Sequence, residues 1–317
     1  MSQRKRFSIS IIRYLYTTFI IIGLMYFAYS YLHRHEANVT DDLRNSTDYI
    51  SFTRTSKCVK TKLLLNKYRT TVCTHNVVRN RDISGSLMSA GIWEEYSVTH
   101  LLRILSKHRQ YAFFDIGANI GVYTLYAAVT GCSNVISIEC FFPNIDLIRQ
   151  AIGLEHVEEH VVLVPRALYN KSDVYLSLQE NIRNNVLSQY LNEEVVKNDT
   201  NPFLVRTIRF DDLLPTVYKR NIREAIIKID IERSEHYLCE TGEQMFNYLN
   251  IPFVMMEWAN IKAIPERATL IRSFFTSRQY LPYAPETCQL HNETDYSKWN
   301  SQYIYWIKHN YAYLCKL

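Results

Sequence analysis

The chain has 317 residues, of which 47% are hydrophobic, and this is enough for one globular domain of about 200 to 250 residues with a buried core. Its 36 basic and 31 acidic residues give a formal charge of +5, and much of the excess lies in Arg4, Lys5, Arg6 and Arg13. The rest of the chain is nearly neutral. Because binding to phosphate backbones needs a clustered basic face, this pattern excludes a nucleic-acid-binding protein.

An apolar segment occupies residues 14–32, YLYTTFIIIGLMYFAYSYL, and contains no charged residue. As a helix it is about long enough to cross a hydrocarbon layer of roughly 30 Å. A cleaved signal peptide is the alternative, but His33, Arg34 and Glu36 follow the segment instead of a small-residue cleavage site. The basic residues before it place residues 1–13 in the cytosol by the positive-inside rule. We therefore expect a single-pass type II membrane protein of the Golgi or endoplasmic reticulum, with its domain in the lumen.

Residues 33 to about 57 are polar, cannot offset the entropy of ordering, and are expected to form a lumenal stem. The folded domain is then expected over 58–317, with its core at about 84–309. Five triplets match the acceptor signal for N-glycosylation, and each would need an exposed loop in a lumenal glycoprotein. They begin at Asn38, Asn45, Asn170, Asn198 and Asn292.

The seven cysteines favour disulfides in an oxidising compartment, although the sequence does not fix their connectivity. The pairs to test first are Cys58 with Cys73 and Cys288 with Cys315. The other three lie within the apolar pattern of the core and are expected to be buried thiols. They are Cys132, Cys140 and Cys239.

Short apolar runs alternate with amphipathic stretches from Tyr111 onward, which predicts strands and helices in alternation. Strands are predicted at 111–115, 134–139, 160–164, 225–230, 252–257, 280–284 and 303–309. Helices are predicted at 121–130, 143–154, 234–249 and 265–278. Shorter strands at 174–178 and 203–210 flank a polar insertion at 179–201, which is either a substrate-facing lid or an exposed loop. The pattern predicts an α/β, Rossmann-like fold with a mostly parallel sheet and helices on both faces, preceded by one transmembrane helix.

A turn rich in glycine follows the strand at 111–115. Asp115, Gly117, Asn119 and Gly121 are spaced at every second residue, and glycines there let a ligand approach the main chain. The next strand ends in Glu139, placed to accept hydrogen bonds from two ribose hydroxyls. We predict that these residues bind a nucleotide-like cofactor. A tight turn in a flavodoxin-like sheet is the alternative, and a nicotinamide is disfavoured because asparagine replaces the middle glycine.

Three acidic residues, Asp230, Glu232 and Glu235, follow the strand at 225–230 and are predicted to be catalytic. Open α/β sheets bind ligands at the carboxyl edge, where these side chains lie. Asp230 either orients an amine of the cofactor or takes a proton from the acceptor. Acidic residues at a helix start also gain from its dipole without any function, an alternative that applies most to Glu235. A metal site built from these carboxylates and His236 is the alternative, but His236 lies beside Glu235 on a predicted helix and is expected to face water, so no metal is predicted.

Five segments, taken in order, resemble the FkbM-type methyltransferases. They are DIGANIG at 115–121, Glu139 with FPN after it, RFDDLLP at 209–215, KIDIERSE at 228–235 and VMMEW at 254–258. The likeness spans about 84–309, and it implies a class I methyltransferase fold with S-adenosylmethionine (SAM) as cofactor. It also implies that GIWEEY, around Trp93 and Glu94, is the helix that these proteins fold over the cofactor, so Glu94 joins the predicted cofactor-binding residues.

One departure from the family is Arg233, which stands where glycine is usual. A bulky side chain there would narrow the acceptor site, bind an anionic substrate or mark the loss of catalysis, and the sequence leaves all three open. The resemblance implies SAM-dependent O-methylation, and with the predicted anchor we expect hydroxyls of glycans or glycoconjugates as acceptors. The expected partners are SAM, this acceptor and the membrane, without nucleic acid. The alternative is a trafficking escort without catalysis, because Star-type insect proteins resemble this chain in anchor and domain.

Overall fold

The computed structural model describes residues 56–77, 80–179, 190–194, 203–291 and 296–317. Among these residues, no helix is both long and apolar enough to cross a membrane. The longest α-helix, Phe142–Glu155, has 14 residues, whereas a span needs about 20 apolar ones. This finding contradicts the predicted single-pass type II localisation, which we do not retain. The predicted tail and span, 1–32, and most of the predicted stem lie outside the described residues.

The described residues form thirteen β-strands and eight α-helices. The strands are β1 (Lys57–Lys60), β2 (Thr71–Thr74), β3 (Ala112–Ile116), β4 (Val135–Glu139), β5 (Val161–Pro165), β6 (Ala167–Leu168), β7 (Tyr175–Gln179), β8 (Tyr190–Asn192), β9 (Leu204–Ile208), β10 (Glu224–Ile229), β11 (Asn250–Glu257), β12 (Tyr280–Tyr283) and β13 (Tyr303–Lys308). The helices are α1 (Ile83–Ala90), α2 (Glu95–Lys107), α3 (Val122–Val129), α4 (Phe142–Glu155), α5 (Leu214–Lys219), α6 (His236–Thr241), α7 (Glu243–Tyr248) and α8 (Pro265–Ser277). Short 3-10 helices cover Phe210–Leu213, Tyr296–Lys298 and His309–Lys316.

The largest sheet has seven strands in the order β5-β4-β3-β10-β11-β13-β12. These are the seven strands that the apolar runs predict. All neighbours pair in parallel except β13, which runs antiparallel to both β11 and β12. Strands buried on both faces are mostly apolar, and β3, β4 and β10 are so despite single polar residues such as Asp115 and Lys228. The predicted Rossmann-like, mostly parallel α/β fold is therefore confirmed.

Apolar side chains cover both faces of this sheet. Phe113 and Phe114 are adjacent on β3, and since successive strand residues point to opposite faces, they enter two different core clusters. On one side, helix α2 buries Val98, Leu101 and Leu105 and exposes its polar stripe. This packing fixes the sheet as a rigid base, and the site is built on its carboxyl edge.

Two smaller sheets accompany the large one: one precedes it in the sequence, and the other lies between β5 and β10. Strands β1 and β2 pair in antiparallel fashion, and β6-β9-β7-β8 form a four-stranded sheet. Two disulfides join Cys58 to Cys73 across the first pair and Cys288 to Cys315 near the C-terminus, as predicted. The remaining cysteines are free thiols. Most of the predicted insertion at 179–201 lies outside the described residues, and of the five sequons only Asn170 lies within them, where it is exposed.

The helix predicted at 234–249 is two helices, α6 and α7, that meet at Gly242. A Cβ atom on Gly242 would lie 2.5 Å from the carbonyl oxygen of Leu238 and 2.9 Å from the ring of Phe210. The carboxylate of Asp211 caps the second helix, accepting bonds from the backbone N–H of Met245 at 2.8 Å and of Gln244 at 3.1 Å. The break therefore follows from a distant side chain, which periodicity cannot reveal.

Candidate active site

The candidate site begins where the strand order reverses, between β3 and β10. The chain continues from β3 to β4 on one side and from β10 to β11 on the other, and such a switch point is where open α/β sheets bind ligands. The pairing of Ile116 with Ile229 ends the two strands at the same level. The turn after β3 and the acidic segment after β10 are therefore neighbours.

The turn after β3 depends on glycine at two positions with positive φ. A Cβ atom on Gly117 (φ +80°) would lie 1.9 Å from the carbonyl oxygen of Asp230, so the main chain of the acidic segment occupies that space. Gly121 (φ +85°) begins α3 and packs against Ile148 of α4, which a Cβ atom would meet at 3.0 Å. Asn119, at φ +53°, is the non-glycine residue type that best tolerates this conformation.

Glu139 ends β4 and holds the turn through its carboxylate. Its Oε2 accepts a bond from the backbone N–H of Asn119 at 2.8 Å, and its Oε1 accepts from Cys140 at 3.0 Å and Phe141 at 2.8 Å. Burial raises the pKa of Glu139 to about 7, although these three backbone bonds oppose the rise. A hydrogen bond from the side chain of Asn144 lowers the pKa of Glu139 as well.

Lys228, on β10, joins the turn to the acidic segment. Its Nζ donates to the carbonyl oxygen of Gly117 at 2.9 Å and lies 3.8 Å from Asp115 and 3.9 Å from Asp230. Burial alone would lower the pKa of Lys228, but Asp230 and Asp115 outweigh burial and raise it. Asp115 is fully buried and accepts a bond from Thr124 at 2.6 Å. Asp115 thus anchors Lys228 from behind the turn.

Tyr303 connects Glu94 to Asp230, and a second tyrosine, Tyr123, contacts Glu94. Tyr303 Oη lies 2.7 Å from Asp230 Oδ2 and 2.9 Å from Glu94 Oε1, and Tyr123 donates to Glu94 Oε2 at 2.7 Å. Burial raises the pKa of Glu94, and Asp230 raises it further. Tyr303 has one hydroxyl hydrogen, so it donates to only one carboxylate. Tyr303 therefore links the two carboxylates through one shared hydroxyl.

Glu94 is held at φ +50°, in the left-handed region that side chains rarely adopt, immediately before α2. Glu232 (φ +51°) and Arg233 (φ +75°) are also left-handed, on the turn that follows β10. Such strain persists only where the surrounding structure enforces it, and it concentrates at functional sites. The conformation of Arg233 explains why glycine is usual there in the family that the sequence resembles.

Two further carboxylates, Glu235 and Glu257, lie beside Asp230. One oxygen from each of these three residues lies within 4.8 Å of the others, and among the described residues they form the group that could hold a metal ion. Glu235 accepts a bond from the backbone N–H of Ile231 at 2.9 Å, and Glu257 accepts one from Asn260 at 2.9 Å. Burial raises the pKa of Glu235 to about 8. Burial and the neighbouring Asp230 raise the pKa of Glu257 as well.

These elements enclose a cavity of about 360 Å³, within the range of small-molecule sites. On the side of β4 its wall is largely apolar and includes Ile138, Phe141, Leu168 and Leu178. On the side of β10 its wall is polar and includes Lys228, Asp230, Glu232, Glu257, Asn260, Gln302 and Tyr303. The cavity therefore offers an apolar slot next to a carboxylate-rich chamber.

Comparison with known families assigns the chain to one of them. The model of the methyltransferase FkbM domain matches residues 115–281, more than half of the chain and all of the segment between β3 and β12. The chain belongs to the FkbM methyltransferase family. It is accordingly a SAM-dependent methyltransferase, and SAM is its cofactor.

Solved methyltransferase structures resemble this FkbM protein at low identity and low TM-score. An O-methyltransferase from Bacillus cereus in complex with SAH is 13% identical, with 71% of this chain and 86% of that chain covered and a TM-score of 0.38. The O-methyltransferase TomG from Streptomyces achromogenes in complex with SAM is 11% identical, with coverages of 68% and 82% and a TM-score of 0.38. Likeness at this level carries no argument about function. Comparison with curated protein sequences found no match.

The residues of the FkbM protein fit SAM. Glu139 lines the cavity, where its carboxylate suits a ribose hydroxyl, and the apolar wall near Phe141 suits an adenine ring. Glu94 and Asp230 supply negative charge on the other side of the turn, where a sulfonium and an α-amine would be stabilised. The cavity thus provides the charge pattern of this cofactor without any rearrangement of the sheet.

Most of the site residues predicted from the sequence line the cavity. Gly117, Asn119, Glu139 and Glu94 do so among those predicted for the cofactor, and Asp230 and Glu232 among those predicted as catalytic. The others are Asp115, Gly121 and Glu235, which stand behind the cavity wall. Their roles as direct ligands remain predictions, and the contacts that the structure shows for them are structural.

Sequence reasoning missed Lys228, Tyr303, Tyr123 and Glu257 as site residues. Lys228 and Glu257 had a signal, since each interrupts or ends an apolar run that belongs to a buried strand. Tyr303 had none: it begins β13 and contacts Asp230, 73 residues earlier in the chain.

Proposed function

We propose that this protein transfers the methyl group of SAM to a hydroxyl of a glycan or glycoconjugate. One observation carries the proposal: the carboxylate suited to the ribose, Glu139, and the carboxylates that follow β10 open into the same cavity, on either side of the turn after β3. Side chains in the polar chamber, among them Asn260, Gln302 and Glu232, can donate or accept hydrogen bonds. These groups suit a compound with several hydroxyls.

SAM supplies an electrophilic methyl group on a sulfonium centre. The chain has to hold the acceptor oxygen in line with it and to receive the hydroxyl proton as the new carbon–oxygen bond forms and the carbon–sulfur bond breaks. Positioning contributes most of the rate in such reactions, and a carboxylate within hydrogen-bond reach contributes about 10²- to 10⁴-fold. Asp230 and Glu232 are the predicted catalytic carboxylates that line the cavity.

The experiment uses purified protein, SAM labelled in its methyl group and a panel of oligosaccharides. Asp230→Asn keeps the size of the side chain and removes its charge, so we expect methyl transfer to fall by about two to four powers of ten. Binding of S-adenosylhomocysteine (SAH) should weaken without being lost, because Asp230 is expected to stabilise its α-amine whereas Glu139 is untouched. Glu159→Gln removes an exposed carboxylate and serves as the matched control. Transfer by Asp230→Asn at the wild-type rate, or a wild type that does not bind SAH, would refute the proposal.

A further inference from the structure

Asp230, Glu235 and Glu257 come from three different elements and meet at the polar end of the cavity. Asp230 follows β10, Glu257 ends β11, and Glu235 directly precedes α6. The pairing of Ile229 with Met256 makes the first two neighbours across the parallel strands. One oxygen of each of the three carboxylates lies within 4.8 Å of the others. This acidic triad is distinct from Glu139, which faces the cofactor side.

The second observation is that buried oxygens in the acidic triad have no partner. Glu235 is fully buried, and its Oε2 makes no hydrogen bond within the described part of the chain. Glu257 is 6% exposed, and its Oε2 is likewise without a partner there. Leaving a buried polar oxygen unsatisfied costs about 1 to 3 kcal/mol, and more when the group is charged. Two such oxygens in one cluster indicate a missing electropositive group.

Protein cations do not supply this group. Lys228 Nζ lies 3.9 Å from Asp230 Oδ2, but it also lies 3.8 Å from Asp115 and donates to Gly117. Over residues 56–317, as far as they are described, neither Glu235 nor Glu257 forms an ion pair with Lys228 or any other basic side chain. One ammonium therefore serves Asp115 and Asp230, and the other two carboxylates remain without compensation.

We propose that the acidic triad binds a divalent cation that prefers oxygen ligands, such as Mg²⁺ or Mn²⁺. Carboxylates are the ligands that these hard cations select, and three of them leave coordination positions for other oxygens. Asp230 and Glu257 line the cavity, so those positions open toward the acceptor. His236 was expected to face water, but it is buried, and it is not part of the triad.

The cation would activate the acceptor hydroxyl, a role that rests on the proposed function. A hydroxyl oxygen bound to it becomes more acidic, because the positive charge stabilises the alkoxide. The O–H bond then breaks, its electron pair stays on the oxygen, and the proton passes to Glu232. Glu232 lines the same cavity but is outside the triad. Asp230 acts as a ligand in this arrangement, and adjacent hydroxyls of a sugar suit two open coordination positions.

The test is Mn²⁺ binding by the wild-type protein, measured by electron paramagnetic resonance without SAM or acceptor. We expect one ion per chain with a Kd below about 1 mM, in the range of weak carboxylate sites. Glu257→Gln and Glu235→Gln should each weaken binding by about 10- to 100-fold. Mg²⁺ should compete with Mn²⁺ for the site. Glu232→Gln is the matched control, since it removes a neighbouring carboxylate outside the triad and should leave Mn²⁺ binding unchanged.

Absence of Mn²⁺ binding at several times this concentration, or binding that survives both triad substitutions, would overturn the site. Circular dichroism checks that each variant is folded, and Glu257→Gln keeps the test valid if Glu235→Gln does not fold. SAH titration separates the two proposals. If the protein binds SAH and methylates hydroxyls in the presence of a chelator, the proposed function is supported and the role of the cation is refuted. If the protein binds Mn²⁺ through the triad but methylates no hydroxyl, the cation site is supported and the proposed function is refuted.

Discussion

Glu139 should make both the stability of the protein and its affinity for SAH depend on pH. Burial raises the pKa of this carboxyl to about 7 from an ordinary 4.5. Between these values the folded state binds a proton that the unfolded state does not, so the free energy of unfolding falls as pH rises. The stabilisation is fully present below about pH 4.5 and is lost as pH approaches and passes about 7. A shift of this size corresponds to about 3 kcal/mol.

Glu139→Gln cannot ionise and should remove this dependence. The amide oxygen can still accept from Cys140 and Phe141, while its NH₂ group faces the N–H of Asn119, so a pH-independent loss of stability accompanies the change. Urea unfolding of wild type and variant from pH 4.5 to 8 gives the free energy of unfolding of each as a function of pH, and the difference between these two curves tests the prediction. Glu159→Gln, at an exposed position, is the control and should follow wild type.

Cofactor affinity should respond in the opposite direction. We expect the ribose of SAH to donate one charge-assisted hydrogen bond to Glu139, which contributes about 1.5 to 3 kcal/mol. SAH should therefore bind more tightly as pH rises through about 7, and Glu139→Gln should weaken it roughly tenfold to a hundredfold. Calorimetric titration measures both effects. The placement of the ribose would be refuted if wild type and Glu139→Gln showed the same pH dependence of the free energy of unfolding and bound SAH equally well.

Three further predictions concern stability. Gly117→Ala should lower the free energy of unfolding by about 3 kcal/mol or more, because its Cβ atom would meet a carbonyl oxygen at 1.9 Å. Gly85→Ala, whose Cβ atom would have nothing within 4 Å, should raise the free energy of unfolding by about 0.5 to 1 kcal/mol. Urea unfolding measures both. Arg233→Gly should raise the free energy of unfolding by roughly 1 kcal/mol and with it the melting temperature. A lower melting temperature would contradict the strain assigned to φ +75°. Replacing Cys58 and Cys73 together by serine should cost about 3 kcal/mol under non-reducing conditions, since the disulfide closes a separation of 15 residues.

The sequence predicted the large sheet well because its strands are buried and almost uninterrupted in hydrophobicity. Each of the seven predicted runs overlaps one strand of the sheet, and the helices between them follow the amphipathic stretches. The hairpin β1–β2 and the strands β6 and β8 were not predicted. Strands this short carry too few residues to show a period, and they owe their form to partners elsewhere in the chain.

The site was predictable to the extent that parallel strands end at one edge. Gly117, Glu139 and Asp230 follow three strands of the same sheet and reach one cavity for that reason. The direction of each side chain was not predictable. Asp115 lies one residue before the end of its strand and points into the core. Tyr303 reaches the site from β13, an antiparallel strand that lies 73 residues after Asp230 in the sequence.

The departure at Arg233 can be interpreted once the turn is seen in three dimensions. The side chain of Arg233 is exposed and is absent from the cavity wall, so it does not narrow the acceptor site. Its main chain adopts the conformation that glycine would favour, and its carbonyl oxygen accepts a bond from Arg267 of α8 at 2.9 Å. The turn therefore keeps its course without glycine, at the cost of strain. Since Asp230 and Glu232 still line the cavity, the substitution changes the stability of the turn and leaves the proposed chemistry in place.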